Sequence, residues 1–357
     1  MMTPNYLDNE DARPLVYLDQ NVIDKLSKGY NQWLIDLCSE KYRAVYSDVT
    51  LDEIARAEDR REGSSRRFLD ALEIVDAYYI SPMCDESMMP QDSMLIRDIL
   101  PTEAFKEHKA NGNLKKILEA NTLISRKLVG GRLEQSADDI FQELTSQFQK
   151  LNSIINENIL DLEKTIPNAR ELSYTNFHKE QDLSNVTTER FEALARQALT
   201  TLEPQMNISS HKESAMATFR SALKLSSLEL NNIQAPNVVQ QVWDVIAKDQ
   251  NIKDSGLTIE GYFGLDGRYS ISPDRKPYKS ELVQIVYHQL NFCGYFSDKK
   301  LHNDGNFTSS FSDMLHVSRA SYCDCLLSGD ERLIKKAFAS YEYVGIDTST
   351  IHITYND

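Results

Sequence analysis

Residues 15–26 read LVYLDQNVIDKL. The first residues, to about Asp19, form a short apolar, β-prone run that predicts a buried strand. Val22, Ile23, Leu26, Tyr30, Trp33, Leu34 and Leu37 then recur at helical spacing. Asp19 and Asn21 sit at the changeover. A strand that delivers a carboxylate to its own carboxyl end and turns directly into a helix is the opening of a βαβ unit, which makes a parallel sheet the first expectation for the fold.

On the C-terminal side of this stretch, Lys41–Ser47 (KYRAVYS) predicts a second strand, and Thr50 with Glu53 has the spacing of a capping box opening a second helix. Phe68–Tyr79 predicts a further helix closed by Pro82. Strand, helix, strand, helix implies a parallel sheet. From about 83 to 101 the chain reads as irregular, which sets a boundary near residue 100. Helical patterns over 112–129, 133–164, 186–204 and 210–232, with polar faces rich in Glu, Gln, Asn and Lys, suggest bundle or arm helices. In 257–272 two β-prone runs flank Asp266-Gly267 and predict a small hairpin. The tail resembles the first 80 residues in its alternation, with SDMLHVSRASY as helix, CDCLLS as strand, DERLIKKAFASY as helix, then EYVGI and TIHIT as closing strands. The expected organisation is an α/β core in two parts, 1–100 and 278–357, with a central parallel sheet flanked by helices. A mainly α-helical insertion, 101–277, interrupts it and ends in the hairpin.

With 357 residues, 41% of them hydrophobic, the chain can bury a large core. The N-terminal residues are polar and acidic, unlike a secretory signal, and no apolar stretch reaches the ~18 residues of a membrane span. The cytoplasm is the expected location, and no membrane partner is expected. Five scattered cysteines suit reduced thiols. Cys323 and Cys325, two apart in a strand, are expected to point to one face as small buried hydrophobes. The net charge of −15 argues against non-specific coating of nucleic acid. Against that background Arg56, Arg60, Arg61, Arg66 and Arg67 gather in one short segment. They read either as a basic path or as a solvated face laced with Glu58, Asp59 and Glu62.

Ligands of open parallel sheets collect beyond the carboxyl ends of the strands. Asp19 sits at such an end, and Asp330 follows the strand CDCLLS. Singly, each acid has a structural explanation: Asp330 and Asp313 as helix caps, Glu53 as the capping-box partner of Thr50. Together the four fall on one predicted edge, which caps do not explain. His316 lies one helical turn after Asp313, on the same face. It is a candidate contact for a phosphate or for a ligand carboxylate, and Arg56, Arg319 and Lys335 are candidate phosphate contacts.

The segments LVYLDQN, YSDVTLDE, SDMLHVSRA and LLSGDERL, in that order, resemble the PIN-domain family of metal-dependent ribonucleases. The resemblance covers roughly 1–80 and 280–357 and leaves the helical middle unexplained. It implies that Asp19, Glu53, Asp313 and Asp330 form the family's acidic cluster, with Asn21 beside the first acid. Family members are usually compact, so the insertion is a departure; it is expected to serve as substrate platform, homo-oligomer surface or site for a regulatory partner.

Elementary electrostatics points to a metal as well. Converging carboxylates raise one another's pKa unless a cation neutralises them. Mg²⁺ or Mn²⁺, hard ions that prefer oxygen, suit such a site and can activate water for attack on a phosphodiester. The leading expectation is a metal-dependent endoribonuclease acting on RNA, with DNA an alternative substrate and a toxin or defence effector a fitting context. Two other classes stay open: a non-catalytic PIN-like binding or scaffold protein, and a haloacid-dehalogenase-type phosphatase. The latter needs an acid where this chain has Asn21.

Overall fold

The structure, a computed structural model, describes residues 13–29, 32–84, 90–110, 214–266 and 276–354, with shorter stretches between 122 and 150. It divides into two compact units: one of residues 1–110, 220–299 and 308–357, the other of 111–219 and 300–307. The helices expected over 133–164 and 186–204 lie largely or wholly outside the described residues.

The first unit is mixed α/β, built on a six-stranded sheet in the order β4-β3-β2-β1-β5-β6. Its strands are β1 (Leu15–Leu18), β2 (Arg43–Ser47), β3 (Tyr78–Cys84), β4 (Pro90–Arg97), β5 (Cys325–Ser328) and β6 (Ser349–His352). All neighbours pair in parallel except β3 and β4. The order reverses at β1: successive strands build outward on the β2 side, and the C-terminal strands on the β5 side. That reversal opens a crevice beyond the carboxyl ends of β1 and β5.

Strand alternation assigns the two faces of the sheet. Val16, Leu18, Ala44, Tyr46 and Leu327 pack on one side against α1 (Gln20–Ser27), α2 (Asp48–Arg60) and α3 (Ser64–Ile74). Leu15, Tyr17, Val45 and Leu326 pack on the other, against α4 (Lys279–Cys293), α5 (Asp304–Ala320) and α6 (Glu331–Val344). Strands buried on both faces are what a helix-covered parallel sheet requires. Burying each Leu or Val side chain contributes roughly 1.5–3 kcal/mol.

Several expectations are corrected. Phe68–Tyr79 is not one helix: α3 ends at Ile74, and Tyr78 and Tyr79 begin β3, with Pro82 inside that strand. The segment expected to be irregular holds β4, paired antiparallel to β3 with a register shift near Pro82, where proline leaves the ladder short of a donor. The described half of the expected hairpin is a helical turn, Ile259–Tyr262, capped by Thr258, whose hydroxyl accepts from the Gly261 N–H at 3.1 Å. Tyr262 and Phe263 are buried there, Tyr262 beside Trp243, so their β-propensity is overridden by packing. Residues 267–275 lie outside the described set. Glu342–Val344 complete α6 and do not form a strand.

Cys323 precedes β5, and its side chain packs on the sheet face opposite that of Cys325. Both thiols are buried, but not on one face as the strand reading required. Burial lifts both thiols, Cys325 to about 11, which keeps them protonated and inert.

Candidate functional site

A capping box is present, but it begins one turn earlier than Thr50. Ser47, at the end of β2, caps α2: its Oγ accepts from the Val49 N–H, and Thr50 returns a contact to the Ser47 N–H. Glu53 is therefore released from capping and stands on the second turn of α2. Asp313 likewise is no cap, since α5 begins at Asp304 and carries it in mid-helix. Asp330 is the N-cap of α6, its Oδ1 accepting from the N–H groups of Arg332 (2.7 Å) and Leu333 (3.2 Å).

Asp19 lies just beyond β1 and caps α1. Oδ1 accepts from the Gln20 N–H at 2.7 Å; Oδ2 accepts from the Ser328 hydroxyl at 2.6 Å and from the Asn21 amide. The Asn21 Oδ1 in turn accepts from the Gly329 N–H at 2.7 Å. Asn21 thus ties the carboxyl end of β1 to that of β5 and fixes the Asp19 carboxylate at the point where strand order reverses. Burial raises the Asp19 carboxyl above its ordinary value, with His316 and Ser328 opposing the rise and Glu53 adding to it.

Glu53 is held by His316 and Arg56. Its Oε2 lies 3.2 Å from His316 Nε2 and its Oε1 3.2 Å from Arg56 Nη2, which also donates to Ser312 Oγ at 2.8 Å. His316 is fully buried, and its Nδ1 meets the Tyr17 hydroxyl at 2.7 Å, which is 2.7 Å from Ser47 Oγ. Burial pushes the Glu53 carboxyl up, but His316 and Arg56 outweigh it and the net shift is downward. Burial pushes the imidazole down, but Glu53 and Asp19 outweigh it and the net shift is upward. Each group therefore favours the charged form of the other.

Asp313 differs from the others. No hydrogen bond or ion pair reaches its carboxylate from the described residues, and it faces the same cleft as Asp19 and Glu53. Burial raises its pKa well above the ordinary value, and repulsion from Asp19 and Asp298 raises it further, against a smaller opposing effect of Lys336. The cleft, about 850 Å³, falls in the size range of ligand sites and is walled on one side by Arg56, Arg60, Arg61 and Arg67.

The structure thus brings Asp19, Asn21, Glu53, Arg56 and Asp313 to one cleft. It does not bring every candidate there. Asp330 is not among the residues that line the cleft, and its Oδ1 caps α6. Arg319 is committed to Asp48 through a two-pronged pair, Nε to Oδ1 at 2.9 Å and Nη2 to Oδ2 at 3.0 Å. Lys335 lines a separate pocket with Ile334 and Phe338. His316 reaches Glu53 but, being fully buried, cannot touch a ligand in the cleft. Tyr17, Ser47, Ser312 and Ser328 escaped the sequence reading; their only signal was strand-end or helix position.

Among the described residues, no three His, Cys, Asp or Glu side chains converge closely enough to ligate one ion. Two carboxylates, Asp19 and Asp313, remain as candidate ligands. That number fits Mg²⁺, which commonly takes one or two carboxylates and keeps several waters. An acid with no donor beside a second acid raised by burial is the chemistry a divalent cation relieves.

In class, then, this is an α/β protein with a mostly parallel sheet and an acidic cleft at its strand-order reversal. Compared with known family models, curated proteins and solved structures, the chain matches none. No helix among the described residues is long and apolar enough to cross a membrane.

Proposed function

We propose that this chain is a metal-dependent nuclease with a PIN-like core, hydrolysing phosphodiester bonds of RNA in the cleft that holds Asp19, Glu53 and Asp313. The observation that carries the reading is the buried Asp313 carboxylate beside Asp19, without a donor among the described residues, in a site where Asp19 and Glu53 each have one.

Asp19 and Asp313 would hold Mg²⁺ or Mn²⁺, which when bound supplies neutralising charge at the phosphate and a water of lowered pKa. The chain's own groups do the positioning. Asn21 and Ser328 fix the Asp19 carboxylate so that it is presented in one orientation. Glu53, kept ionised by His316, sets the direction of Arg56, whose Nε and Nη1 have no partner among the described residues and can meet a phosphate oxygen. Tyr17 holds the imidazole in place from behind, a supporting role of the kind that orients ligand-bearing residues.

A second reading, a non-catalytic PIN-like binding or scaffold protein, draws on one observation: the lack of a three-ligand group among the described residues. One experiment separates the two. Purified protein is incubated with single-stranded RNA and Mn²⁺ or Mg²⁺, with and without a chelator, and Mn²⁺ binding is followed by calorimetry on wild type and on Asp313→Asn. The nuclease reading expects chelator-sensitive cleavage and cation binding, both lost in the variant. Cleavage indifferent to the chelator, or no cation binding, would sink it.

A further inference from the structure

We infer that Arg60, Arg61 and Arg67 form a phosphate track that draws one strand of nucleic acid over the corner between α2 and α3 and into the acidic cleft, so that the strand is held over several nucleotides on one side of the carboxylates. The ligand class rests on the nuclease reading above; the track itself rests on how the fold sorts the arginine run.

The run splits cleanly. Arg56, Arg60, Arg61 and Arg67 line the cleft, whereas Arg66, adjacent in sequence, does not and is spent on Asp70 at 2.7 Å. Its acids are sorted too. Glu58 turns back to accept from the N–H groups of Gly63 (2.8 Å) and Ser65 (2.7 Å), so its charge serves the start of α3. Asp59 lies outside the cleft lining, and Glu62 is the acid of the run that stays within it. The solvated-face alternative needed these acids to neutralise the arginines.

Gly63 permits the corner by adopting φ +79°, a left-handed conformation in which glycine carries no steric cost. The turn brings Arg67 of α3 to the same wall as Arg60 and Arg61. Among the described residues Arg61 is exposed and makes no ion pair, and Arg60 donates only to the Arg56 carbonyl, at 3.1 Å. Arg67 sits over the Phe68 ring, 4.3 Å from its centre, with a 3.4 Å contact to Asp24.

Distance sets the reach. Arg60 follows Glu53 by two turns of α2, roughly 10 Å at about 1.5 Å per residue. At the stacked-strand spacing of about 3.4 Å per phosphate, that is roughly three phosphates from the carboxylates. Asp19 is 3% exposed at the cleft floor, so a phosphate must enter the cleft to reach it. A separate strand can do so; a stiff duplex must first be opened.

The test uses the full chain with chelator present, so that binding is read without cleavage. Anisotropy of labelled single-stranded RNA and DNA, in a length series from the dinucleotide upward, is measured against salt for wild type, for the combined Arg60→Gln, Arg61→Gln, Arg67→Gln variant, and for Arg66→Gln. Affinity should climb with length until the strand spans the corner. The salt slope should fall by about 0.7 for each arginine removed, about 2 in the combined variant, and stay unchanged in Arg66→Gln. Matching thermal melts keep the variants comparable. RNA and DNA bound alike, or one preferred, both support the track and identify the sugar it accepts. An unchanged slope in the combined variant, an equal loss in Arg66→Gln, or tighter binding of duplex than of single strand would overturn it. A reduced slope without metal-dependent cleavage keeps the track and removes the nuclease; chelator-sensitive cleavage with an unchanged slope does the reverse.

Discussion

Two adjacent strands end in the same way and are treated in opposite ways. Immediately beyond β1 stands Asp19; immediately beyond β2 stands Asp48. Burial pushes the Asp48 carboxyl up, but the Arg319 guanidinium overrides burial and holds it below its ordinary value. Burial pushes the Asp19 carboxyl up as well, and there it stays raised. The fold can supply a matched cation at a strand end, and at Asp48 it does. Next to Asp19 it places a second acid, Asp313, to which no donor among the described residues is directed. Placement alone therefore says little about role; a structural carboxylate is separated from a candidate ligand by whether its charge has been answered.

The most severe way to break the contrast is to neutralise the unanswered acids. Asp19→Asn or Asp313→Asn should reduce metal-dependent RNA cleavage at least ~10²-fold, since several kcal/mol of charge stabilisation are removed at about 1.4 kcal/mol per tenfold. Steady-state rates on a labelled oligonucleotide measure it. The same Asp313→Asn change relieves repulsion with Asp19, so the metal-free variant should melt higher than wild type, by about 2–4 °C per kcal/mol gained.

Next comes the answered acid. Arg319→Leu should destabilise the fold by about 3 kcal/mol at neutral pH, because it strands the Asp48 charge. Denaturant titration against pH checks the sign. Asp48 has a depressed folded pKa, so the stability it lends is present above its ordinary value of 3.8 and is lost as pH falls through the folded value. The gap between wild type and Arg319→Leu should therefore narrow below that pH.

A divalent ion should make Asp19 and Asp313 behave more like Asp48. Saturating Mn²⁺, at about a hundred times its dissociation constant, should stabilise wild type by about 2.7 kcal/mol and leave Asp313→Asn nearly unmoved in a thermal-shift assay. The smallest effect belongs to Tyr17→Phe, which leaves a buried imidazole nitrogen and the Ser47 hydroxyl one partner short. A loss of about 1–2 kcal/mol in unfolding free energy is expected, and an unchanged stability would show the Tyr17 contact to be dispensable.

Much of the core was legible from sequence because its strands are short, apolar and followed by clear helical periodicity. LVYLD and CDCLLS reported their strands and the acids beyond them. What escaped had competing signals. Tyr78 and Tyr79 continue the apolar spacing of α3 and so hid the start of β3; Pro82 and Pro90 disguised an edge hairpin as irregular chain. At the site, Asp19, Glu53 and Asp313 were read from position. Asp330 and Arg319 were placed with them because spacing cannot tell a side chain that lines the cleft from one that does not, such as the Asp330 cap or the guanidinium held by Asp48. The tyrosine and glutamate contacts of His316 join residues hundreds of positions apart and leave no local trace.

Ser47 answers to two demands at once. One buried hydroxyl both seals the first turn of α2 and touches the phenol that steadies His316. The side chain at this position is therefore constrained twice over: alanine would fray the helix and loosen the imidazole together, and aspartate, an equally good cap, would bury a carboxylate at a position closed to water. Threonine alone among the common capping residues keeps a hydroxyl for both tasks, so the tolerated alphabet at residue 47 should be narrower than a helix start by itself demands.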